Sequence, residues 1–334
     1  MLATCQPGYE RLLAGELAGA GLISHEQGPG WVLAGAAAHG LPELAFAHCV
    51  LEEPAELRGD SVNSMAAQAE EFFAESLRGE RVDTPWPCRW SAPPEPAGLG
   101  KRVRAAADAF RERLGRRLAR VARLAVPEAP AGTGPARGLF IHFVDFNRAF
   151  AARRAVLGGQ RRMADDPEAP SRSYLKVEEA YGILGAEPRA GETVADLGAA
   201  PGGWSYSAAR HGARVVAVDR GPLKRGAAGH PAIEHRPEDA FGFRPAPGTA
   251  YDWLFCDLVE EPHHVLRQLA APWLARHWCR RFIINLKFGR ADPLALLAEL
   301  RAADSPFSGP GIASRIRHLY HDREEFTIVG AVGG

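Results

Sequence analysis

The sequence predicts an α/β chain in which a doubly wound, Rossmann-like sheet follows an α+β region. From Ser171 onward, helical and β-rich segments alternate, as expected for parallel strands joined by crossover helices. Residues 194–197 form a short apolar run that leads into the glycine-rich turn of residues 198–203. Residues 1–60 instead begin with a strand, a turn, a helix and a second strand, which is typical of a separate small unit.

The N-terminal region is predicted to hold two units. A strand over residues 1–5, a helix over 9–20 and a strand over 30–35 indicate a ferredoxin-like unit that spans residues 1–60. Residues 61–156 are then predicted to form a second domain. Its elements are a helix over residues 65–78, a patch rich in proline and tryptophan over 85–96, a basic helix over 101–123 and a strand over 138–144. The aperiodic residues 157–170 are predicted to be the linker.

The basic helix concentrates the positive charge of a chain whose net charge is zero. Residues 1–100 carry 5 basic and 14 acidic side chains, whereas residues 101–162 carry 15 and 4. Apolar side chains recur every three or four residues, so the arginines cover the outer face of an amphipathic helix. Arginine forks match phosphate geometry, although a merely solvated face is an equally good interpretation of this helix alone. The residues predicted to contact RNA are Lys101, Arg102, Arg113, Arg116, Arg117 and Arg120.

Acidic side chains end the predicted strands of residues 171–334. Asp196 lies in the first strand, and Asp219, Asp239 and Asp257 follow the next three. An acid after one strand is usually a helix cap, but four beside one glycine turn indicate a binding site.

The glycine spacing indicates which ligand this site binds. Gly198 is followed by Ala-Ala-Pro before Gly202 and Gly203, which is not the fingerprint that holds a dinucleotide pyrophosphate. A nucleoside ligand without phosphates is therefore favoured, and S-adenosylmethionine is the commonest one. Asp219 is expected to accept hydrogen bonds from the ribose hydroxyls.

Two lysines and a glutamate complete the candidate site. Lys176 begins a helix, Lys287 ends the apolar run of residues 282–287, and Glu325 begins the closing strand. A lone lysine is usually a solvated charge, but one at the end of so apolar a strand needs a partner. All three are expected to converge with Asp257 on the carboxyl edge of the sheet.

The order of these motifs resembles the FtsJ-type RNA 2′-O-ribose methyltransferases, which carry a Lys-Asp-Lys-Glu tetrad. A closer similarity is to the RlmM-type subfamily, which acts on bacterial large-subunit ribosomal RNA. The segments that carry this closer similarity are residues 6–10, 169–180, 218–223, 256–260, 285–287 and 318–325.

This resemblance implies a THUMP RNA-binding domain before the methyltransferase domain, and methylation of a cytidine ribose in the peptidyl-transferase region. It implies Lys287 as proton acceptor, Lys176 and Glu325 as orienting groups, and Asp257 as a bridge between lysine and cofactor. The residues expected to hold the cofactor are Ser173, Asp196, Gly198, Ala200, Pro201, Gly202, Gly203, Trp204, Asp219, Asp239 and Asp257. The expected partner is ribosomal RNA, free or in an early precursor, with no obligate protein partner.

The cysteine spacing and the hydropathy of the sequence bear on metal binding and on location in the cell. The five cysteines are scattered without zinc spacing, so no metal is expected. The sequence shows no signal-type start and no run near the ~18 apolar residues of a membrane span, so a cytoplasmic protein is expected.

Three alternatives remain open at this point. The chain could be a catalytically silent RNA-binding or assembly factor, which the complete tetrad disfavours. It could be a base methyltransferase, but the segment after Asp257 lacks the loop or reactive cysteine of that class. It could also methylate the 2′-hydroxyl of another RNA.

Overall fold

In the computed structural model of the protein, which describes residues 1–36, 40–128 and 130–333, the chain divides into two compact units. These are Met1–Gly158 and Gly159–Gly334. The division falls inside the predicted linker of residues 157–170. Among the described residues, no helix is both long enough and apolar enough to cross a membrane.

The strands of the N-terminal unit join in one sheet. In its described part, nine strands follow the order β2-β3-β1-β4-β9-β8-β6-β7, and β5 pairs with β9. The strands are β1 Leu2–Thr4, β2 Ser24–Gly28, β3 Trp31–Ala34, β4 Cys49–Glu52, β5 Ala55–Arg58, β6 Trp86–Ser91, β7 Ala125–Val126, β8 Gly134–Asp145 and β9 Arg148–Leu157. Because β4 pairs with β9 in this sheet, the predicted boundary near residue 60 does not separate two compact units. The ferredoxin-like unit and the THUMP-like domain on either side of that boundary stay predictions.

The helices described in this unit are α1 Glu10–Gly19, α2 Val62–Ser76, α3 Leu99–Arg117 and α4 Ala119–Arg123. Helices α2, α3 and α4 contribute to one apolar cluster with the sheet. Val103, Phe110 and Leu114 of α3 are buried with Phe73 of α2, as the spacing of apolar residues predicts. The single basic helix predicted over residues 101–123 is wrong at one point, because the backbone leaves helical geometry at Leu118.

The C-terminal unit is a seven-stranded sheet in the order β12-β11-β10-β13-β14-β16-β15. Its strands are β10 Thr193–Leu197, β11 Arg214–Val218, β12 Ile233–Arg236, β13 Tyr251–Cys256, β14 Cys279–Lys287, β15 Ile312–Arg317 and β16 Glu325–Val332. Strands β10 to β14 run parallel, and β16 lies antiparallel between β14 and β15. The predicted doubly wound sheet is confirmed, with an antiparallel strand added near one edge.

Helices cover this sheet between its strands. They are α5 Tyr174–Leu184, α6 Gly203–Arg210, α7 Pro262–Val265, α8 Ala271–Ala275 and α9 Pro293–Arg301, with a π-helical turn over Leu266–Ala270 and a 3-10 turn over Arg225–Ala227. Trp253, Phe255 and Ile283 are fully buried in the core. Strands buried on both faces read as near-continuous apolar runs, which explains why the sequence pattern reveals them.

Candidate active site

The candidate site lies along the carboxyl edge of the parallel strands. Asp219 comes directly after β11 and Asp257 directly after β13, while Lys287 is the last residue of β14. Asp196 is the next-to-last residue of β10, and Asp239 follows β12 by three residues. Since β10 to β14 are parallel neighbours, one edge of the sheet carries all five residues.

Two residues of the glycine-rich turn have backbone conformations that other amino acids rarely adopt. Gly198 has a φ of +84°, and a Cβ built on it would lie 2.6 Å from Cδ2 of Leu258. Gly202 has a φ of +105°, and its Cβ would lie 2.6 Å from that of Ala227. Both positions require glycine because of left-handed backbone and close packing within the unit itself.

The Asp219 carboxylate accepts hydrogen bonds from the turn and can still accept more. Its Oδ2 accepts a hydrogen bond from the amide of Ala200 at 3.0 Å, and its Oδ1 accepts one from Gly221 at 2.7 Å. A carboxylate offers about four lone-pair sites, so further donors can bind to the same group. Asp239 is exposed, and accepts a hydrogen bond from Arg220 at 3.2 Å and one from the amide of Phe241 at 3.0 Å.

Asp196 is buried beneath the turn. Its Oδ2 accepts a hydrogen bond from the Ser205 hydroxyl at 2.6 Å, and its Oδ1 has no hydrogen-bond partner in the described structure. Burial raises the pKa of Asp196 to about 7. An unsatisfied buried acceptor is uncommon, and it indicates a place where a ligand donor could bind.

The other predicted cofactor residues surround the turn. Ser173 precedes α5, and its carbonyl oxygen accepts a hydrogen bond from the Trp204 indole at 2.9 Å. A Cβ on Gly203 would lie 2.7 Å from the Ser173 hydroxyl oxygen, so these residues are close neighbours. Trp204 itself is buried and packs on Phe255, which gives it a structural role whether or not it contacts cofactor. Ala200 and Pro201 lie half-buried in the turn.

Lys287 and Glu325 face each other across two paired strands. The antiparallel register sets Lys287 of β14 opposite Glu325 of β16. The Lys287 ammonium donates hydrogen bonds to Glu325, to Asp257 Oδ1 at 2.5 Å and to Asn285 Oδ1 at 2.9 Å. These three acceptors account for all three hydrogens of the ammonium group.

Lys176 closes the cluster from α5. Its Nζ lies 2.8 Å from Glu325 Oε1 and 3.4 Å from Asp257 Oδ2. The four side chains are 5 to 22% exposed. The structure therefore brings the four predicted catalytic residues together, and their two positive and two negative charges balance.

The pKa shifts of Lys287 and Glu325 both favour the charged forms of these side chains. Burial lowers the pKa of Lys287, but the carboxylates of Asp257 and Glu325 together outweigh burial, and the net pKa is raised. Burial raises the pKa of Glu325, but the ammonium groups of Lys176 and Lys287 together outweigh it, and the net pKa is lowered. Before substrate binds, Lys287 is an ammonium, which is the opposite of what a proton acceptor requires.

A second layer of polar side chains lies beneath this cluster, and the sequence analysis missed it. Asn285 Nδ2 donates hydrogen bonds to Thr327 Oγ1 at 3.1 Å and to Asp322 Oδ1 at 3.3 Å. All three residues are at most 1% exposed. The available signal was the period of two along a strand, because Asn285 precedes Lys287 by two residues and Thr327 follows Glu325 by two.

The predicted RNA-binding residues lie on or beside α3 and α4, and several are already paired. Arg113 Nε donates to Glu70 at 2.7 Å, and Arg117 donates to Glu71 at 2.7 Å. Arg102 donates to the carbonyl oxygen of Gly59 at 3.2 Å.

The remaining three of these residues are more open to solvent. Arg116 is 74% exposed beside Glu112, and Arg120 is 65% exposed and 2.5 Å from Asp83. Lys101 is exposed in the first turn of α3. The helix is therefore less positive than the sequence alone indicates.

In the described part of the chain, no group of three or more histidine, cysteine, aspartate or glutamate side chains is arranged to hold a metal ion.

Similarity to known proteins agrees with this geometry. Residues 169–265 match the family model of FtsJ-like methyltransferases. The predicted resemblance is confirmed. Relatives named ribosomal RNA large subunit methyltransferase M are similar to this chain. The one from Halorhodospira halophila is 41% identical over 200 residues, which are 58% of this chain and 57% of the relative.

Two further relatives of that name match at similar identity. The protein from Laribacter hongkongensis is 41% identical over 51% of this chain and 50% of its own length. The protein from Alkalilimnicola ehrlichii is 44% identical over 48% of this chain and 45% of its own length. The chain thus spans about half the length of the curated relatives it matches. Its C-terminal unit has the α/β fold of S-adenosylmethionine-dependent methyltransferases.

Proposed function

We propose that the chain transfers a methyl group from S-adenosylmethionine to a ribose 2′-hydroxyl of large-subunit ribosomal RNA. The observation that carries this proposal is the buried cluster of Lys176, Asp257, Lys287 and Glu325 at the edge of the sheet that also carries the glycine turn. The target proposed is a cytidine, in free or early precursor RNA in the cytoplasm. The names of the similar relatives support ribosomal RNA as the substrate class.

The residues present fit S-adenosylmethionine. Asp219 has lone pairs left for ribose hydroxyls, and the buried Asp196 Oδ1 has no donor among the residues that the structure describes. The turn has no dinucleotide spacing to hold a pyrophosphate, which also suits a nucleoside ligand. Asp219 would hold the ribose and Asp239 would lie near the adenine amino group.

The chemistry requires orientation and removal of one proton. S-adenosylmethionine supplies an electrophilic methyl group, so the protein must hold the 2′-hydroxyl in line with it. Lys176 and Glu325 would orient the ribose, and Asp257 contacts both lysines. A buried site with fixed charges does this without reorganising solvent during the reaction.

Lys287 is proposed to take the 2′-hydroxyl proton, but only after a change in its own state. All three ammonium hydrogens are donated, and its pKa is raised. One hydrogen must therefore pass to Asp257 or Glu325 before the amine can accept another. Bound RNA would exclude water, which penalises both charges and favours that transfer. If no transfer occurs, Lys287 acts as a fixed positive charge.

The N-terminal unit is proposed to bind RNA as a THUMP-like domain, with Lys101, Arg102, Arg113, Arg116, Arg117 and Arg120 on phosphates. Lys101 and Arg116 are exposed enough to contact phosphates directly. Arg113 and Arg117 would first have to exchange their glutamate partners, so we expect them to contribute less.

The experiment is transfer of a labelled methyl group to ribosomal RNA from a strain that lacks the endogenous enzyme. A 2′-O-methyl group blocks alkaline cleavage of the adjacent phosphodiester, because the attacking hydroxyl is gone. We expect label at a single alkali-resistant position in large-subunit RNA. Small-subunit RNA from the same strain and the Lys287→Ala variant are the matched controls.

Three outcomes would contradict the proposal in different ways. Label at an alkali-sensitive position would indicate base methylation. Label only on another RNA would keep the chemistry and change the substrate. No label on any RNA, with RNA binding intact, would favour a silent binding factor.

A further inference from the structure

We propose that Asn285, Thr327 and Asp322 form a buried polar network that positions Lys287 for methyl transfer. This inference rests on the proposed function and names positioning residues for the same site. None of the three is proposed to touch substrate or cofactor. They act through the hydrogen bond between Asn285 and Lys287.

The register of two strands builds this network. Strand β14 sets Lys287 opposite Glu325, and one step deeper it sets Asn285 opposite Thr327. We call each pair of residues that face each other across β14 and β16 a rung. Because side chains two residues apart share a face, the rung of Asn285 and Thr327 lies directly beneath the rung of Lys287 and Glu325. One further step inward, the rung consists of the apolar pair Ile283 and Val329.

Hydrogen bonds join the two rungs in a fixed direction. The amide oxygen of Asn285 accepts from Lys287 at 2.9 Å, so its amide nitrogen must point inward. That nitrogen donates to Thr327 and Asp322. Thr327 Oγ1 lies 3.0 Å from Asp322 Oδ2, which also accepts from the amide of Leu319 at 2.9 Å. The orientation of Asn285 is therefore set from below.

The burial of this network argues for a role beyond packing. Burying polar groups costs free energy that apolar residues of the same shape would not cost. Ile283 and Val329, the next pair inward on the same face, are apolar and at most 1% exposed, so the strands accommodate apolar side chains here. Burial and the nearby Glu325 carboxylate raise the pKa of Asp322 well above its ordinary range, which shows how unfavourable the position is for a charge.

The network gives the Lys287 ammonium a third hydrogen-bond acceptor, the uncharged amide oxygen of Asn285. Asp257 and Glu325 attract the ammonium electrostatically. The Asn285 carbonyl oxygen adds a contact to Nζ from the residue pair that lies one step deeper in the sheet, and so restricts the position of the ammonium. Loss of this contact should slow methyl transfer without weakening cofactor or RNA binding.

Two variants at Thr327 separate positioning from packing. Thr327→Val keeps the shape and removes the hydroxyl, whereas Thr327→Ser keeps the hydroxyl and removes a methyl group. We expect single-turnover methylation, with saturating S-adenosylmethionine and RNA, to fall about fivefold in Thr327→Val, the effect of one lost hydrogen bond. Thr327→Ser should stay within about twofold of wild type. Dissociation constants for both ligands should be unchanged in both variants.

Asn285→Leu tests the central contact with a side chain of similar volume. We expect a loss of about tenfold or more, because a hydrogen bond to a charged group is lost. The inference is overturned if Thr327→Ser is as slow as Thr327→Val, if all three variants keep the wild-type rate, or if only binding weakens. If the wild-type protein itself methylates no RNA, the proposed function is wrong, and this inference, which rests on it, is wrong as well.

Discussion

Two ion pairs, one in each unit, differ in their burial. Between α2 and α3, the side chains of Arg117 and Glu71 are 44 and 56% exposed. At the edge of the second sheet, Lys287 and Glu325 are 22 and 5% exposed and share partners with two further charges. A basic side chain thus pairs with a glutamate in contact with water in the first case and largely away from water in the second.

The difference in burial changes how much free energy is lost when one partner of an ion pair is removed. Exposed pairs contribute about 0 to 1 kcal/mol each, and can be lost with little effect. Buried charges are costly to desolvate, and removal of one partner leaves the others uncompensated. We therefore expect the buried cluster to be far more sensitive to substitution than the arginine face of α3.

The largest expected effect is at Lys287. Lys287→Ala should lower single-turnover methylation about 10²-fold or more, as for loss of a general base. Lys287→Arg should be nearly as damaging, because a guanidinium stays protonated and cannot accept the proton. The measurement uses saturating cofactor and RNA, with binding of each ligand determined separately.

The arginine variant also decides between the two roles of Lys287. A rate near wild type in Lys287→Arg would mean that the side chain serves only as a fixed positive charge. Unfolding temperatures of both variants are the control, since either change leaves Asp257 and Glu325 with less compensation.

The second effect concerns the cofactor. Asp219→Ala should weaken S-adenosylmethionine binding by about 1.5 to 3 kcal/mol, the range for hydrogen bonds to a charged group. Asp219→Asn keeps one acceptor oxygen and should lose less. Calorimetry measures both, and unchanged affinity in a folded Asp219→Ala protein would remove this residue from the site.

Asp219 also holds the amides of Ala200 and Gly221, so its removal could act through the turn. Gly221→Ala is a useful comparison, because a Cβ there would lie 3.2 Å from the Asp219 carboxylate and disturb the same contact. If that variant weakens binding as much as Asp219→Ala does, the turn rather than the carboxylate sets the affinity.

Much of the candidate site could be predicted because strand ends are visible in the sequence. Asp219 and Asp257 each follow an apolar strand, and parallel topology brings such ends to one edge. The partner of Asn285 could not be predicted, because the register between β14 and β16 depends on the whole sheet. The raised pKa of Lys287 has the same origin, since it depends on distances to Asp257 and Glu325.

The N-terminal unit shows where local patterns fail. The helical spacing continues through Leu118, yet the backbone breaks there and Ala119 starts a second helix. Strand β6, Trp86–Ser91, lies in the patch rich in proline and tryptophan, for which the sequence pattern predicts no strand. Both features depend on packing within the unit, which the residue spacing does not contain.

The third prediction concerns pH and the buried Asp196. Its pKa is raised from 3.8 to about 7 by burial, so the folded protein favours the neutral form. Stability from this group is complete below pH 3.8 and is lost as pH rises to about 7. Asp196→Asn should therefore gain stability relative to wild type over that range, on the order of 4 kcal/mol without ligand.

Denaturant unfolding at several pH values measures this difference. The comparison between the two proteins cancels other titrating groups, such as His318, whose pKa burial lowers to about 4. A difference in unfolding free energy that stays constant from pH 4 to pH 8 would contradict the raised pKa of Asp196.

The smallest effect is expected on the arginine face, where solvent already screens each charge. The variant Lys101→Glu with Arg116→Glu reverses the two predicted phosphate contacts that are most open to solvent. It should weaken RNA binding and reduce the salt dependence of binding by about one slope unit per lost contact. Arg111→Glu makes the same kind of change at a 63% exposed position of α3 that is not predicted to contact RNA, and should leave the slope unchanged. Cofactor binding should be unaffected in both proteins, and unfolding should shift by only about 0.5 kcal/mol or less per position. An unchanged affinity and slope in the double variant would mean that α3 is only a solvated face.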